Sequence, residues 1–253
     1  MINIYSKKEI EMLAEGGKIL SEVLGTVAGM VRPGISTFEL DELAEKKIRE
    51  AGAQPAFLGY SEKGMKPYPA SLCTSINAEL VHCIPKKDRV LKAGDIISLD
   101  LGVKYKNLIT DMATTVAVGV VPDKTQKLLE VTKQSLDESL KILAPGVTLG
   151  DLGAKIESYA KKNKFGVVRD LVGHGVGKSV HEDPQVPNYG EPGKGLKLKE
   201  GMVLAIEPMF SLGSERIKVT PDGWGIATAD GSLSAHFEKT IVIVEGGYRI
   251  LTE

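Results

Sequence analysis

The apolar positions at the start of the chain predict a long amphipathic helix. They recur at helical spacing and fall on one stripe: Ile10, Leu13, Leu20, Leu24 and Val27. The preceding segment Ser6-Lys-Lys-Glu9 is a capping box, in which serine and glutamate side chains bond the free backbone N–H groups of a helix start. The helix should therefore begin at Ser6 and end before Pro33-Gly34.

Further elements follow from the same kind of pattern. A second capping box, at Ser36 and Glu39, predicts a helix that stops near Gly52. The chain from Phe57 to about residue 95 is expected to be irregular. The remaining expected elements are a helix from about Asp123 to Leu143 and strands around Val203 to Phe210 and His236 to Val244.

One local pattern occurs twice. Pro145-Gly146-Val147-Thr148 repeats Pro33-Gly34-Ile35-Ser36 at an offset of 112 residues, and an acidic residue follows three positions after each hydroxyl. Capping boxes are common, so a chance match is an alternative. A true repeat predicts an α+β fold in which two pseudo-symmetric halves, about 1–120 and 121–253, each end in mainly antiparallel strands. No linker-like stretch separates the halves, so we expect one domain over 1–253, with a site where the halves meet.

Residues 95–119 predict two strands and a tight turn. Ile97, Leu99 and Leu101 share one face of the first strand by the period of two, while Asp100 lies on the other, polar face. The first strand therefore carries a carboxylate on a small, polar face.

The turn decides which residues face each other. If it is centred between Tyr105 and Lys106, Asp100 lies directly opposite Asp111. Like charges at this spacing repel, so two such carboxylates in an apolar sheet must share a proton or a cation. The alternative is a solvated pair of aspartates near a turn.

Composition and charge exclude several classes of function. The 253 residues hold 32 Lys plus Arg against 33 Asp plus Glu, so net charge recruits neither nucleic acid nor an anionic membrane. No apolar run approaches the roughly 20 residues of a membrane span. The only two cysteines, Cys73 and Cys83, are expected to be free thiols, which fits a cytoplasmic protein. We expect a monomer.

Three further residues interrupt apolar surroundings. His174 has glycine on both sides, which suits a ligand approached closely by backbone. The segment is not a nucleotide-binding P-loop, because Val172 stands where that loop needs glycine. Glu207 and Glu238 lie in strand-like runs, where each alone could be an edge residue facing water. Together with the two aspartates, these side chains suit two adjacent divalent cations.

These residues resemble the type I methionine aminopeptidases of the pita-bread metallopeptidase fold over nearly the whole chain. The matching motifs occur in order: Asn77 to Pro85 with His82, the hairpin Asp100/Asp111, Gly173-His174-Gly175, His181-Glu-Asp-Pro, Ala205-Ile-Glu207-Pro208-Met, Asp222-Gly-Trp224 and Ser234-Ala-His-Phe-Glu238-Lys-Thr. The resemblance implies removal of the initiator methionine from nascent proteins, with a preference for a small second residue. Substrate N-terminal peptides are the implied partners, and the ribosome is a candidate partner.

The resemblance also implies roles for individual residues. It assigns two divalent metal ions (cobalt, manganese, iron or zinc) to five ligands: Asp100, Asp111, His174, Glu207 and Glu238. By this resemblance, Glu207 accepts the proton of the attacking water. His181 hydrogen-bonds the substrate carbonyl, and His82 contacts the scissile amide or the leaving amine. It assigns the methionine pocket to Tyr60, Tyr68, Cys73 and Trp224.

The sequence departs from familiar relatives at several points. The segment between Tyr60 and Tyr68 is longer, and Phe57 and Val180 replace other apolar residues. His236 precedes Glu238 by two positions, and we expect it to support a ligand or lie at the surface rather than bind metal. The rival functions are a prolidase or proline aminopeptidase, and a metal-free binding protein of the same fold.

Overall fold

The structure is a computed structural model that describes residues 2–61 and 66–253. Its helices are α1 (Lys7–Gly29), α2 (Thr37–Glu50), α3 (Asp123–Leu140) and α4 (Leu149–Asn163). Complete capping boxes stand at Ser6, Ser36 and Thr148. The helix starts predicted at Ser6 and Ser36 are therefore confirmed, and the repeated pattern at Thr148 also begins a helix. None of the helices within the described ranges is both long and apolar enough to cross a bilayer.

All pairs between the named strands are antiparallel. The strands of the first half are β1 (Gln54–Pro55), β2 (Leu72–Ile76), β3 (Glu79–Val81), β4 (Ile96–Tyr105) and β5 (Leu108–Ala117). Those of the second half are β6 (Gly166–Val167), β7 (Gly173–Gly175), β8 (Glu182–Val186), β9 (Val203–Ile206), β10 (Met209–Ser211), β11 (Ile217–Val219), β12 (Ile226–Thr228), β13 (Ser234–His236), β14 (Lys239–Val244) and β15 (Gly247–Ile250). The expectation of an irregular chain from Phe57 to residue 95 is wrong, because β2 and β3 lie there.

The predicted register of the β4–β5 hairpin is also wrong. The turn is centred on Lys106 and Asn107, which both have positive φ, so Asp100 pairs with Ala113 and Asp111 pairs with Gly102. A two-residue hairpin turn of this kind needs positive φ at both central positions, which asparagine tolerates well. Because the shift is two residues, both aspartates stay on one face as diagonal neighbours.

Each half has its own apolar core. The predicted apolar face of β4 packs under α1 and α2, and a second core lies between α3, α4, β9 and β14. Equivalent turns support the repeat: Gly34 N donates to Leu91 O, and Gly146 N donates to Leu198 O, each at 2.9 Å. The two Pro-Gly segments therefore make the same backbone contact in each half.

Side chains and backbone of β5 join the two halves. Thr240 of β14 accepts from Asp111 N at 2.9 Å and donates to Asp111 O at 2.7 Å. Glu238 N donates to Ala113 O at 2.9 Å. These bonds hold the hairpin of the first half against the terminal strands of the second half.

Helix α4 depends on a close approach at Gly153. A Cβ there would lie 2.2 Å from Tyr189 O and 2.9 Å from Pro187 O. We expect Gly153→Ala to lower the free energy of unfolding by about 1–3 kcal/mol, because the backbone must shift. Gly25→Ala is the matched control: nothing lies near its Cβ position in α1, so a gain of about 0.5–1 kcal/mol is expected. Denaturant unfolding measures both, and equal stability of the Gly153→Ala and wild-type proteins would contradict the packing argument.

Candidate active site

Asp100 and Asp111 lie at the centre of the molecule, where the two halves meet. Both are buried, and their carboxyl groups are close enough for each to affect the pKa of the other. A solvated pair near the turn, the alternative left open by the sequence, is therefore excluded.

His174 is held by its backbone surroundings. A Cβ at Gly173 would lie 2.4 Å from Ala205 O, and one at Gly175 would lie 2.2 Å from Asp183 O, so the flanking glycines are sterically required. The ring Nδ1 bonds Gly175 O at 2.9 Å and must be the donor, because a carbonyl only accepts. Nε2 is then left with its lone pair, as a metal ligand requires.

Glu207 and Glu238 lie where two paired strands are interrupted at the same level. Strand β9 pairs with β14 on one side of the interruption at the glutamates, and β10 pairs with β13 on the other side. Each predicted strand is thus split in two at its glutamate. Both glutamates are buried, so the alternative of edge residues facing water is wrong.

The five predicted ligands form one cluster. His174 Nε2 lies 3.4 Å from Glu207 Oε1 and 4.0 Å from Asp111 Oδ2. One ligand atom each from Asp111, His174 and Glu238 lie within 4.8 Å of one another. Three buried oxygens have no hydrogen-bond partner among the described residues: Asp100 Oδ1, Asp111 Oδ1 and Glu238 Oε1. Buried, unpartnered carboxylate oxygens beside an imidazole suit divalent cations, which would offset the cost of burying the charges.

The protonation of the carboxyl groups indicates the same need for a cation. Burial raises the pKa of Asp100 to about 7. Burial, and then the neighbouring Asp100, raise the pKa of Asp111, while burial and Asp111 raise that of Glu238. Burial also raises the pKa of Glu207, but the rings of His236 and His174 outweigh it and hold the pKa below its usual value. A bound cation would favour the ionised form of all four groups.

A cavity of about 350 Å³ opens on this cluster. All residues predicted from the sequence for the site line it: Tyr60, Tyr68, Cys73, His82, Asp100, Asp111, His174, His181, Glu207, Trp224 and Glu238. A second cavity of about 520 Å³ shares His82, His174, His181 and Glu207 with the first. The structure therefore brings the whole predicted set together, with a further opening beside the histidines.

Two histidines project beside the carboxylates. The ring of His181 is 4.5 Å from that of His174 and 6.4 Å from that of His82, measured between centroids. Tyr60 OH is 2.9 Å from His181 Nδ1. Burial lowers the pKa of His82 to about 4, so its ring is neutral at pH 7.

The rest of the cavity wall is mainly apolar and aromatic. Tyr68 packs edge to face on Trp224 at 5.2 Å, and its hydroxyl donates to Cys83 O at 3.2 Å. Phe57 and Val180, noted as departures, both line the cavity. Cys73 lines it as well, and Cys73 and Cys83 are both free, as predicted.

His236 is buried beneath the cluster and does not line the cavity. Its Nε2 lies 3.4 Å from Glu207 Oε2, without hydrogen-bond alignment. The alternative of a surface position is therefore wrong. Contact with Glu207 is what we expect of a residue that supports a ligand.

The sequence reasoning missed part of the cavity wall. Val219, Gly223 and Ile226 line it beside Trp224, and they come from the β11–β12 hairpin. The only available signal was their position around the Asp222-Gly-Trp224 motif. The longer segment between the two tyrosines falls mainly on residues 62–65, outside the described residues, but Tyr68 N donates to Tyr60 O at 2.7 Å and joins its ends.

Comparison with known proteins identifies the family to which the chain belongs. The sequence profile of Metallopeptidase family M24 matches residues 11–245. This chain belongs to metallopeptidase family M24. M24 membership makes the chain a metal-dependent peptidase and implies divalent-metal binding.

Other M24 proteins resemble the chain over its full length. Methionine aminopeptidase of Clostridium perfringens and methionine aminopeptidase 1 of Bacillus subtilis are each 46% identical over 252 residues, which is 100% of this chain and 99% of each relative. The crystal structure of methionine aminopeptidase from Thermotoga maritima matches with a TM-score of 0.96, 42% identity and full coverage of both chains. The prolidase of Pyrococcus horikoshii matches with a TM-score of 0.77 and 23% identity, covering 99% of this chain and 63% of that one. The expected pita-bread fold is thus confirmed.

Proposed function

We propose that this M24 protein is a methionine aminopeptidase that removes the initiator methionine from nascent proteins and prefers a small second residue. The observation that carries the proposal is the cavity, in which a buried group of carboxylates and a histidine meets an apolar, aromatic wall. The full-length relatives named methionine aminopeptidase support it. Free, buried cysteines are consistent with action in the cytoplasm, where nascent chains are made.

Two divalent cations (cobalt, manganese, iron or zinc) would be held by the five residues of the cluster: Asp100, Asp111, His174, Glu207 and Glu238. Bound divalent cations supply Lewis acidity, which polarises a carbonyl and lowers the pKa of water. Glu207 is the group that accepts the proton of the attacking water. Its contacts with His174 and His236 hold its pKa low, so it starts as a carboxylate.

Two histidines act on the substrate itself. When the Tyr60 hydroxyl donates to His181 Nδ1, the ring proton is on Nε2, which can then donate to the substrate carbonyl and its developing negative charge. His82, neutral because it is buried, contacts the scissile amide or the leaving amine. Both rings line both cavities and therefore lie where the substrate would pass from one to the other.

The residues that line the two cavities account for the expected substrate specificity. The methionine side chain would contact Tyr60, Tyr68, Cys73 and Trp224, which are aromatic or soft and apolar. On the far side of the scissile bond, the rings of His82, His174 and His181 lie close together and leave little space for the second residue of the substrate. This favours a small second residue. The peptide would then leave through the second cavity.

Peptide hydrolysis tests the function. We expect release of methionine from Met-Ala-Ser, much slower release from Met-Leu-Ser, and no cleavage of the dipeptide Ala-Pro. Cleavage of Ala-Pro alone would identify a prolidase, and no cleavage by fully metal-loaded protein would identify a binding protein. The content of cobalt, manganese, iron and zinc in each preparation is measured in parallel, so that inactivity through lost metal is recognised.

A further inference from the structure

Glu182, the residue after His181, is bound by an unusual number of donors. Asn3 Nδ2 donates to its carboxylate at 2.7 Å, and Tyr5 OH reaches both of its oxygens at 2.9 and 3.1 Å. The backbone N–H groups of Lys178 and Ser179 donate to Oε1 at 2.7 and 2.9 Å. Charge-assisted bonds of this kind are stronger than neutral ones, so this carboxylate is well fixed.

Tyr5 is itself held in place on three sides. It is buried, its N–H donates to Gly201 O at 2.9 Å, and its hydroxyl accepts from Lys178 N at 2.9 Å. A Cβ at Gly177, whose φ is 146°, would lie 2.2 Å from the Tyr5 hydroxyl. The loop of residues 177–182 therefore folds directly over this hydroxyl, with no side chain between them.

This loop carries His181 into the cavity. It begins after β7, which holds His174, and ends where β8 begins at Glu182. The His181 ring lines the cavity, while the carboxylate of the next residue, Glu182, is bound by Tyr5 at the border of the second cavity. At the other end of the loop, Gly177 O accepts from Ile109 N at 2.7 Å.

We propose that Tyr5 is a positioning residue for His181 that acts through Glu182, with Asn3 as a second contact. We call these residues, Asn3, Tyr5 and Glu182, the N-terminal latch. The inference rests on the proposed function, because His181 is the residue that contacts the substrate carbonyl. The latch makes Asn3 and Tyr5 part of the catalytic apparatus, although neither of these two residues lines the cavity.

The physical reason lies in the geometry of a reacting site. Loss of the Tyr5 hydroxyl removes one donor from Glu182 and one acceptor from Lys178 N, so the loop is free to shift. A displacement of about 1 Å at a catalytic group costs up to about 100-fold in rate. We expect Tyr5→Phe to lower kcat by roughly tenfold and to change KM for Met-Ala-Ser by less than about twofold. The aromatic ring stays in its apolar cluster, so metal content should not change.

The test is a double-mutant cycle between Tyr5→Phe and His181→Ala, measured as kcat on Met-Ala-Ser. If Tyr5 acts through His181, Tyr5→Phe has no further effect in the His181→Ala protein. An equal loss in both backgrounds, or loss of metal in Tyr5→Phe, overturns the proposal. Ser135→Ala is the control, because it removes a buried hydroxyl bond to Thr132 O in α3, away from the cavity, and should keep full kcat.

Two additions keep the test decisive. Asn3→Ala removes a single bond to Glu182 and should lower kcat in the same direction, which provides a second variant if Tyr5→Phe does not fold. Nuclear magnetic resonance of the four histidine rings in zinc-loaded protein gives a readout independent of activity. The His181 signal, identified by its absence in His181→Ala, should shift in Tyr5→Phe, and an unchanged signal overturns the latch. If the wild-type protein releases no methionine, the proposed function fails, while the ring signal still decides the latch.

Discussion

Replacing His181 by alanine is expected to lower kcat by a factor of about 10² or more with no change in metal content. Replacing His174 by alanine is expected to lose metal. The reason is the direction in which each ring is held. His174 Nε2 faces Asp111 and Glu207, whereas His181 Nδ1 contacts Tyr60 at the cavity wall. A group that stabilises developing charge acts mainly in the transition state, while a ligand acts already in the resting enzyme.

Metal analysis beside steady-state kinetics measures both effects. The two variants are controls for each other, because the same chemical change is made seven residues apart in one segment. Loss of metal in His181→Ala, or a full complement of metal in His174→Ala, would reverse the assignment of roles.

Complete removal of metal is expected to abolish peptidase activity, and a divalent transition metal is expected to restore it. The cluster offers buried carboxylate oxygens with no other partner among the described residues. The thiol that lines the cavity beside them, Cys73, is buried, which raises its pKa and keeps it in the protonated, weakly nucleophilic form. Cations there would stabilise the folded state as well, because they bind the assembled ligands and not the unfolded chain.

Two readouts follow chelation: methionine release and the thermal midpoint of unfolding. Both should fall on removal of metal and recover on its return, and His174→Ala treated in the same way should recover neither fully. Full activity in protein shown by mass spectrometry to hold no metal would refute the metal-dependent mechanism.

Sequence patterns predicted the structure correctly where the interacting residues are close together along the chain. The capping boxes at Ser6, Ser36 and Thr148 each involve residues three positions apart, so the sequence contains both partners. The alternation along β4 predicted its buried face for the same reason. Helix α3 ends at Leu140, three residues before the expected Leu143. Helix ends are less definite because the last turn can fray.

Errors arose where a long-range contact decides the outcome. The turn at Lys106 and Asn107 is selected by the conformations that suit a twisted hairpin, and alternation alone does not distinguish registers two residues apart. Strand β2 was missed because its pairing with β4, which places Cys73 opposite Asp100, exists only in the folded chain. The splitting of two strands at Glu207 and Glu238 likewise depends on β13 pairing with β10.

The amino-acid sequence was sufficient to predict the helix starts, the polar face that carries Asp100 and, through an ordered set of motifs, the candidate residues of the site. Chemical type and order along the chain are enough for such predictions. The folded chain was needed to bring the five predicted ligands from both halves into one buried cluster, to place His236 beneath Glu207, and to bring Tyr5 into contact with Glu182. The physical reason is that these contacts join residues as far as 177 positions apart, and burial and packing of the whole chain bring them together.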